Sequence, residues 1–253
     1  ITQADIKAFY QTHYRPDATV LALVGDFDPV SVRNLLVREF GNWQAEGTLD
    51  TPVFPNVPLP EATIRKNPVL PGKTQSITFM GYNGINRSDP RYYASQVLNQ
   101  ILGGDTLSSR LGTEIRDRQG LTYGIYSVFQ SGMHSGPFLI SMQTAPEDTD
   151  RAIASTISLL QQIRQQGVTP SEVSTAKRAI ASNYSVSLAS PEDLAGTISM
   201  NVAYGLKLSE VRDYAAKIQA VTPEQVQQVI QDLLHPSNLV IVTAGPPTAA
   251  SQK

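Results

Sequence analysis

The feature that most constrains this chain is a partial internal repeat. "ITQADIKAFYQTHYRPDATVLALVG" (residues 1–25) aligns without a gap on "VTPEQVQQVIQDLLHPSNLVIVTAG" (residues 221–245). Thr2 falls on Thr222, Pro16 on Pro236 and Gly25 on Gly245. Few residues are identical, and any helix–proline–strand unit shares this outline. The common grammar is the stronger evidence: a threonine cap, an amphipathic helix, a proline stop, an apolar strand and a terminal glycine. The period nearly equals the 253-residue length. The chain therefore reads as the tail of one unit followed by the whole of a second. Residues 1–46 are expected to form a helix–strand–helix tail, 47–61 a proline-rich linker, 62–246 a complete second unit and 247–253 a disordered tail.

Local signals fill in this frame. Thr2 to about His13 reads as a helix and Ala18–Gly25 as a buried strand; Asp28 caps a helix with Pro29 at its first position. "ATIRKNPVL" and "TQSITFMGY" read as two strands joined by a turn at "PGK". Asp89-Pro90 opens a helix that places Tyr93, Val97 and Ile101 on one face, and Gly103-Gly104 ends it. A helix is predicted from Thr106 to about Arg118, followed by a hairpin of "LTYGIYSVFQSG" and "GPFLISMQTA" through "MHSG". Helices then dominate: 148–166, one from the capping box "TPSE" at Thr169, one from "SPED" at Ser190, one from about Ser209, and the repeated helix before the last strand. Sequential strand pairs with helical excursions between them predict an α+β fold, an antiparallel or mixed sheet with helices packed on it.

Composition removes several function classes. The chain has no cysteine, which excludes disulfides, thiolate metal sites and a cysteine nucleophile, yet leaves the compartment open. A net charge of −2 gives no global field for nucleic acid or anionic lipid, and no apolar run is long enough to span a bilayer. The chain opens at Ile1, so a targeting segment is expected to lie upstream.

The three histidines, His13, His134 and His235, have no second histidine or carboxylate at zinc-site spacing. His13 and His235 sit beside helix-stopping prolines, where a charge at a helix C-terminus is the simpler role. "GDFDP" reads as a helix cap at Asp28 rather than a calcium loop, and "LGGDTLSSR" as a break between helices rather than a phosphate loop. Arg116 and Tyr123 flank Gly120 in "TEIRDRQGLTYGIYS". Periodicity alone makes them helix-end and strand-start surface residues. Arginine nonetheless offers permanent charge and planar donors for carbonyls or carboxylates, and a tyrosine hydroxyl can donate to an oxyanion.

"LNQILGGDTLSSRLGTEIRDRQGLTYGIYS" resembles the C-terminal half-domain of the pitrilysin/insulinase family of inverted zinc metallopeptidases, which includes the mitochondrial processing peptidases. The family motif Arg-x-x-x-Gly-Leu-x-Tyr falls on Arg116, Gly120, Leu121 and Tyr123. "FYQTHYRPDATVLALVGDFDP" and "NLVIVTAGP" resemble the elements that close the preceding and the present half-domain. The resemblance covers nearly the whole chain and accounts for the repeat, because family members pair two half-domains of about this period. It implies that residues 1–46 are the tail of a preceding half-domain. It also implies that Tyr123 supports the oxyanion and Arg116 holds substrate backbone, as a catalytic and substrate-binding pair. The zinc motif H-x-x-E-H is absent here, so no metal site or cofactor is expected in this chain. The expected partner is a zinc-bearing half, upstream in the same polypeptide or on a separate subunit, and the expected substrate is an unfolded peptide. The alternative is a structural, core-type assembly subunit without proteolysis.

Overall fold

The computed structural model describes residues 1–45, 47–49 and 53–246. The expected disordered tail at 247–253 and positions 50–52 of the expected linker lie outside the described residues. The chain divides into two compact units, one formed by 1–55 with 186–211 and the other by 56–185 with the residues from 212 onward.

The larger unit holds a five-stranded mixed sheet. Its strands are β1 (Ile64–Lys66), β2 (Ser76–Asn83), β3 (Gly124–Phe129), β4 (Pro137–Thr144) and β5 (Val240–Ala244), in the order β1-β5-β2-β4-β3. β1 runs parallel to β5, and every other neighbouring pair is antiparallel. The predicted hairpin is present, with Tyr126 opposite Ser141 and Phe129 opposite Phe138. Strand alternation sends Met80, Ile125, Phe138, Ile140, Met142 and Ile241 to one face, where all are buried. The helices cover that face: α3 (Tyr92–Leu102), α4 (Thr149–Gln166) and α8 (Pro223–Leu233), which contribute Val97, Leu98, Ile153, Leu160, Ile163, Val229 and Ile230 to the same core. The observed fold is the predicted α+β class, a mixed sheet with helices on it.

α5 (Pro170–Ser187) begins at the predicted capping box: Glu172 accepts from the Thr169 amide at 2.7 Å, and Thr169 Oγ1 accepts from the Glu172 amide at 3.2 Å. α7 (Glu210–Ala220) starts where expected. The smaller unit contains α1 (Gln3–His13), α2 (Pro29–Phe40) and α6 (Pro191–Ala203). Thr2 and Asp5 form a capping box on α1, Asp28 Oδ2 accepts from the Ser31 amide at 2.8 Å, and Ser190 caps α6.

Three expectations require correction. First, Ala18–Gly25 forms no strand. Pro16–Ala18 is a 3₁₀ turn, and the rest is irregular with Val20, Leu21 and Leu23 exposed. The segment has strand chemistry, but a strand forms only where neighbours accept its backbone hydrogen bonds, and no described residue does so here. Its repeat partner β5, flanked by β1 and β2, has both neighbours. Second, the turn at Pro71-Gly72 is present, with Gly72 at φ +77°, but it does not join paired strands. β5 inserts between β1 and β2, because its buried Ile241 needs cover on both sides, whereas the exposed, charged "IRK" of β1 suits an edge. Third, the helix predicted from Thr106 is instead a turn followed by a π-helix over Gly112–Arg118. Asp105 Oδ1 holds the turn by accepting from the Leu107 and Ser108 amides at 2.9 and 2.7 Å.

Candidate functional site

Arg116 and Tyr123 lie on either side of one compact connection. The π-helix presents Arg116 on its last turn and closes with Gln119 donating to the Glu114 carbonyl at 3.2 Å. Gly120 follows at φ +65°, and a Cβ there would meet nothing within 4 Å. Glycine is therefore required by backbone conformation rather than by space. The buried Leu121 then anchors the loop, its amide donating to the Ile115 carbonyl at 3.0 Å. Thr122 Oγ1 donates to the Gln143 carbonyl on β4 at 2.6 Å, fixing the loop to the sheet.

Between these anchors the pair is brought together, in a particular way. Arg116 Nε donates to the backbone carbonyl of Tyr123 at 3.0 Å, and Nη1 pairs with Asp117. The contact is with the tyrosine main chain, and the phenol side chain projects outward, 88% exposed. Glu114 does not compete for Arg116: its carboxylate accepts from Gln119 at 2.9 Å and from Arg118 at 3.0 Å. Those bonds, the Gln119 bond foremost, hold Glu114 below the usual carboxylate range, so it stays ionised and occupied. A depression of about 480 Å³ opens beside Tyr123, lined by Gln75, Gly120, Thr122, Gln143 and Asp148, with the Gln143 amide donating to Gln75. The arrangement offers a fixed cation and a solvent-facing phenol at one edge of a sheet. Those groups can bind and polarise a carbonyl; they supply no nucleophile.

Other predicted candidates resolve into structural roles. Ser108 Oγ donates to Asp105 and Ser109 Oγ accepts from the Gly112 amide at 3.2 Å, so both serines shape the turn. His13 occupies the last turn of α1 as expected. His235 does not carry the charge at the end of α8. Burial, with the nearby Arg164, pushes its pKa down, and Arg164 itself donates to the Gln231 and Leu234 carbonyls at 2.7 and 2.6 Å. Among the described residues no three His, Cys, Asp or Glu side chains come together, so these residues do not fit a resident zinc ion. Thr122 and Gln143 were not legible as site residues: their role arises from the β3–β4 pairing, and no local motif marks it.

A one-sided α+β half of an inverted zinc peptidase is the class that this architecture defines, and comparison with known proteins agrees. The profile of the peptidase M16 inactive domain matches residues 1–180, and the chain belongs to that family. It is 29% identical over 244 residues to an uncharacterized zinc protease of Streptomyces coelicolor, covering 92% of this chain and 51% of that protein. It is 26% identical over 166 residues to the mitochondrial-processing peptidase subunit alpha of Caenorhabditis elegans, covering 61% of this chain and 32% of that protein. A crystal structure of a peptidase M16 inactive domain from Pseudomonas fluorescens superposes with a TM-score of 0.87 at 32% identity, covering 98% of this chain and 58% of that one. The chain thus spans about half the length of the curated relatives it matches.

Proposed function

We propose that this chain is the zinc-free half of a metalloendopeptidase, and that Arg116 and Tyr123 complete the peptide-hydrolysing site of a zinc-bearing half. The observation that carries this reading is the Arg116–Tyr123 bond across the Gly120 turn, which holds a guanidinium and an exposed phenol on one surface. Arg116 holds substrate main chain, and the Tyr123 hydroxyl donates to the oxyanion that forms during attack on the peptide carbonyl. The chain's length relative to its matches supports the reading, since they have room for a second half of similar size. On the same reading residues 1–46 close that other half, which would provide the neighbours that Ala18–Gly25 lacks.

In the intact assembly, Tyr123→Phe and Arg116→Ala should each lower kcat by about 100-fold, the scale of one lost oxyanion donor, while zinc content stays near wild type. Full turnover in both variants would overturn the assignment. A purely structural, core-type role is the second reading. It is favoured by the observation that Arg116 bonds within its own loop, to Asp117 and the Tyr123 carbonyl. Under that reading Arg116→Ala lowers stability and Tyr123→Phe changes nothing.

A further inference from the structure

One face of the sheet is covered by helices, and the other carries a row of side chains with an unusual profile. The register places Tyr126 on β3, Ser141 on β4 and Phe79 on β2 directly across from one another on this open face. Tyr126 and Phe79 remain 48% and 42% exposed, whereas Ser141 between them is only 7% exposed. Two rings thus stand over a small, shaded floor. They rise from strands two apart, roughly 10 Å between axes, which leaves a slot for one further side chain. Leu139 and Gln143, the neighbours of Ser141 on the same face of β4, close the slot at its ends.

The slot is continuous with the Arg116–Tyr123 turn. Gln143 lines the depression beside Tyr123, and Tyr126 lies three positions beyond Tyr123, about 10 Å along an extended backbone. An extended peptide advances at the same rate per residue. The strand residues that the register places on this face include no carboxylate, and their one cation, Lys66, lies on the far edge strand β1. A basic side chain would find no counter-charge in the slot; an aromatic or branched apolar one would find two ring faces.

We infer that Tyr126, Ser141 and Phe79 form a specificity slot that selects peptides bearing an aromatic or branched apolar side chain about three residues from the scissile bond. This rests on the peptide-hydrolase reading above. The test uses the assembly of this chain with its zinc-bearing half and quenched peptides in which each position in turn holds Phe, Leu, Ser or Asp. The expected result is a single position at which Phe or Leu raises kcat/KM about tenfold over Ser, the scale of an apolar pocket's discrimination. Tyr126→Ser and Phe79→Ser should bring that ratio close to one, and so should Ser141→Phe, which fills the slot without removing apolar surface. The inference is overturned if no position shows the preference or if all three variants keep it. It is also overturned if the variants instead weaken co-sedimentation with the zinc-bearing half, which would make the face a pairing surface. Arg116→Ala should slow every peptide alike. If Arg116→Ala and Tyr123→Phe leave turnover intact while the slot variants still change the ratio, the catalytic roles fall and the slot stands.

Discussion

Glu172 shows how much one side chain can organise. Its carboxylate closes the capping box of α5 and also receives both arms of Arg110, at 2.7 and 2.9 Å, while Arg110 reaches the Gly167 carbonyl at 3.2 Å. The Arg110 bonds foremost, with those from Thr169, hold the Glu172 pKa down to about 2. A carboxylate whose folded pKa is depressed stabilises the fold fully above its unfolded pKa of 4.5, and the contribution is lost as pH falls from there towards 2. Solvent screens the pair, so the contribution is on the order of 1 kcal/mol. Glu172→Gln should therefore lower stability at pH 7 by about that amount and flatten the loss between pH 4.5 and 2. Urea unfolding across that range measures it, and parallel pH profiles for variant and wild type would contradict the account. The capping half of this arrangement is legible within four residues of sequence; the Arg110 half is not, because only the packing of α5 beside the turn after α3 brings it near.

At the level of elements, the two copies of the repeat share a sequence grammar and differ in environment. Val226, Val229, Ile230, Leu234 and Ile241 are buried, and the residues aligned with them, Ile6, Phe9, Tyr10, Tyr14 and Leu21, are exposed. α8 packs against α3, and its end is held by the Tyr82 hydroxyl, which donates to the Leu233 carbonyl at 2.5 Å. α1 buries no residue. The same apolar stripe is therefore a core element in one copy and an unpaired surface in the other. In the isolated chain Val229→Ser should cost about 2–3 kcal/mol, through lost burial and a buried hydroxyl, while Phe9→Ser stays within about 0.5 kcal/mol. Denaturant melts of the two variants measure the difference. Equal costs would show that residues 1–25 already belong to a core of this chain.

For the whole molecule, the consequence is an incomplete site. Arg116 and Tyr123 can orient and polarise a peptide bond, yet none of the described residues clusters to hold a metal ion. The chain alone is predicted to retain no stoichiometric zinc after dialysis, as measured by metal analysis, and to cleave no quenched peptide. Adding a zinc-bearing half should restore turnover. Zinc bound tightly by the isolated chain, or peptide cleavage by it, would contradict the half-site account.

The sequence by itself determined what local physics controls. Caps at Thr2, Asp28, Thr169 and Ser190 are satisfied within a few residues, helical stripes specify their own buried face, and the spacing of Arg116, Gly120, Leu121 and Tyr123 survives any packing. Strand alternation likewise shows which residues share a face, but it carries no label for the neighbour. Only the tertiary structure decided that β5 separates β1 from β2, that Ala18–Gly25 stays unpaired, and that Tyr126, Ser141 and Phe79 stand in one row. Those choices follow from long-range hydrogen-bond pairing and burial summed over the whole sheet, to which no short window of sequence has access.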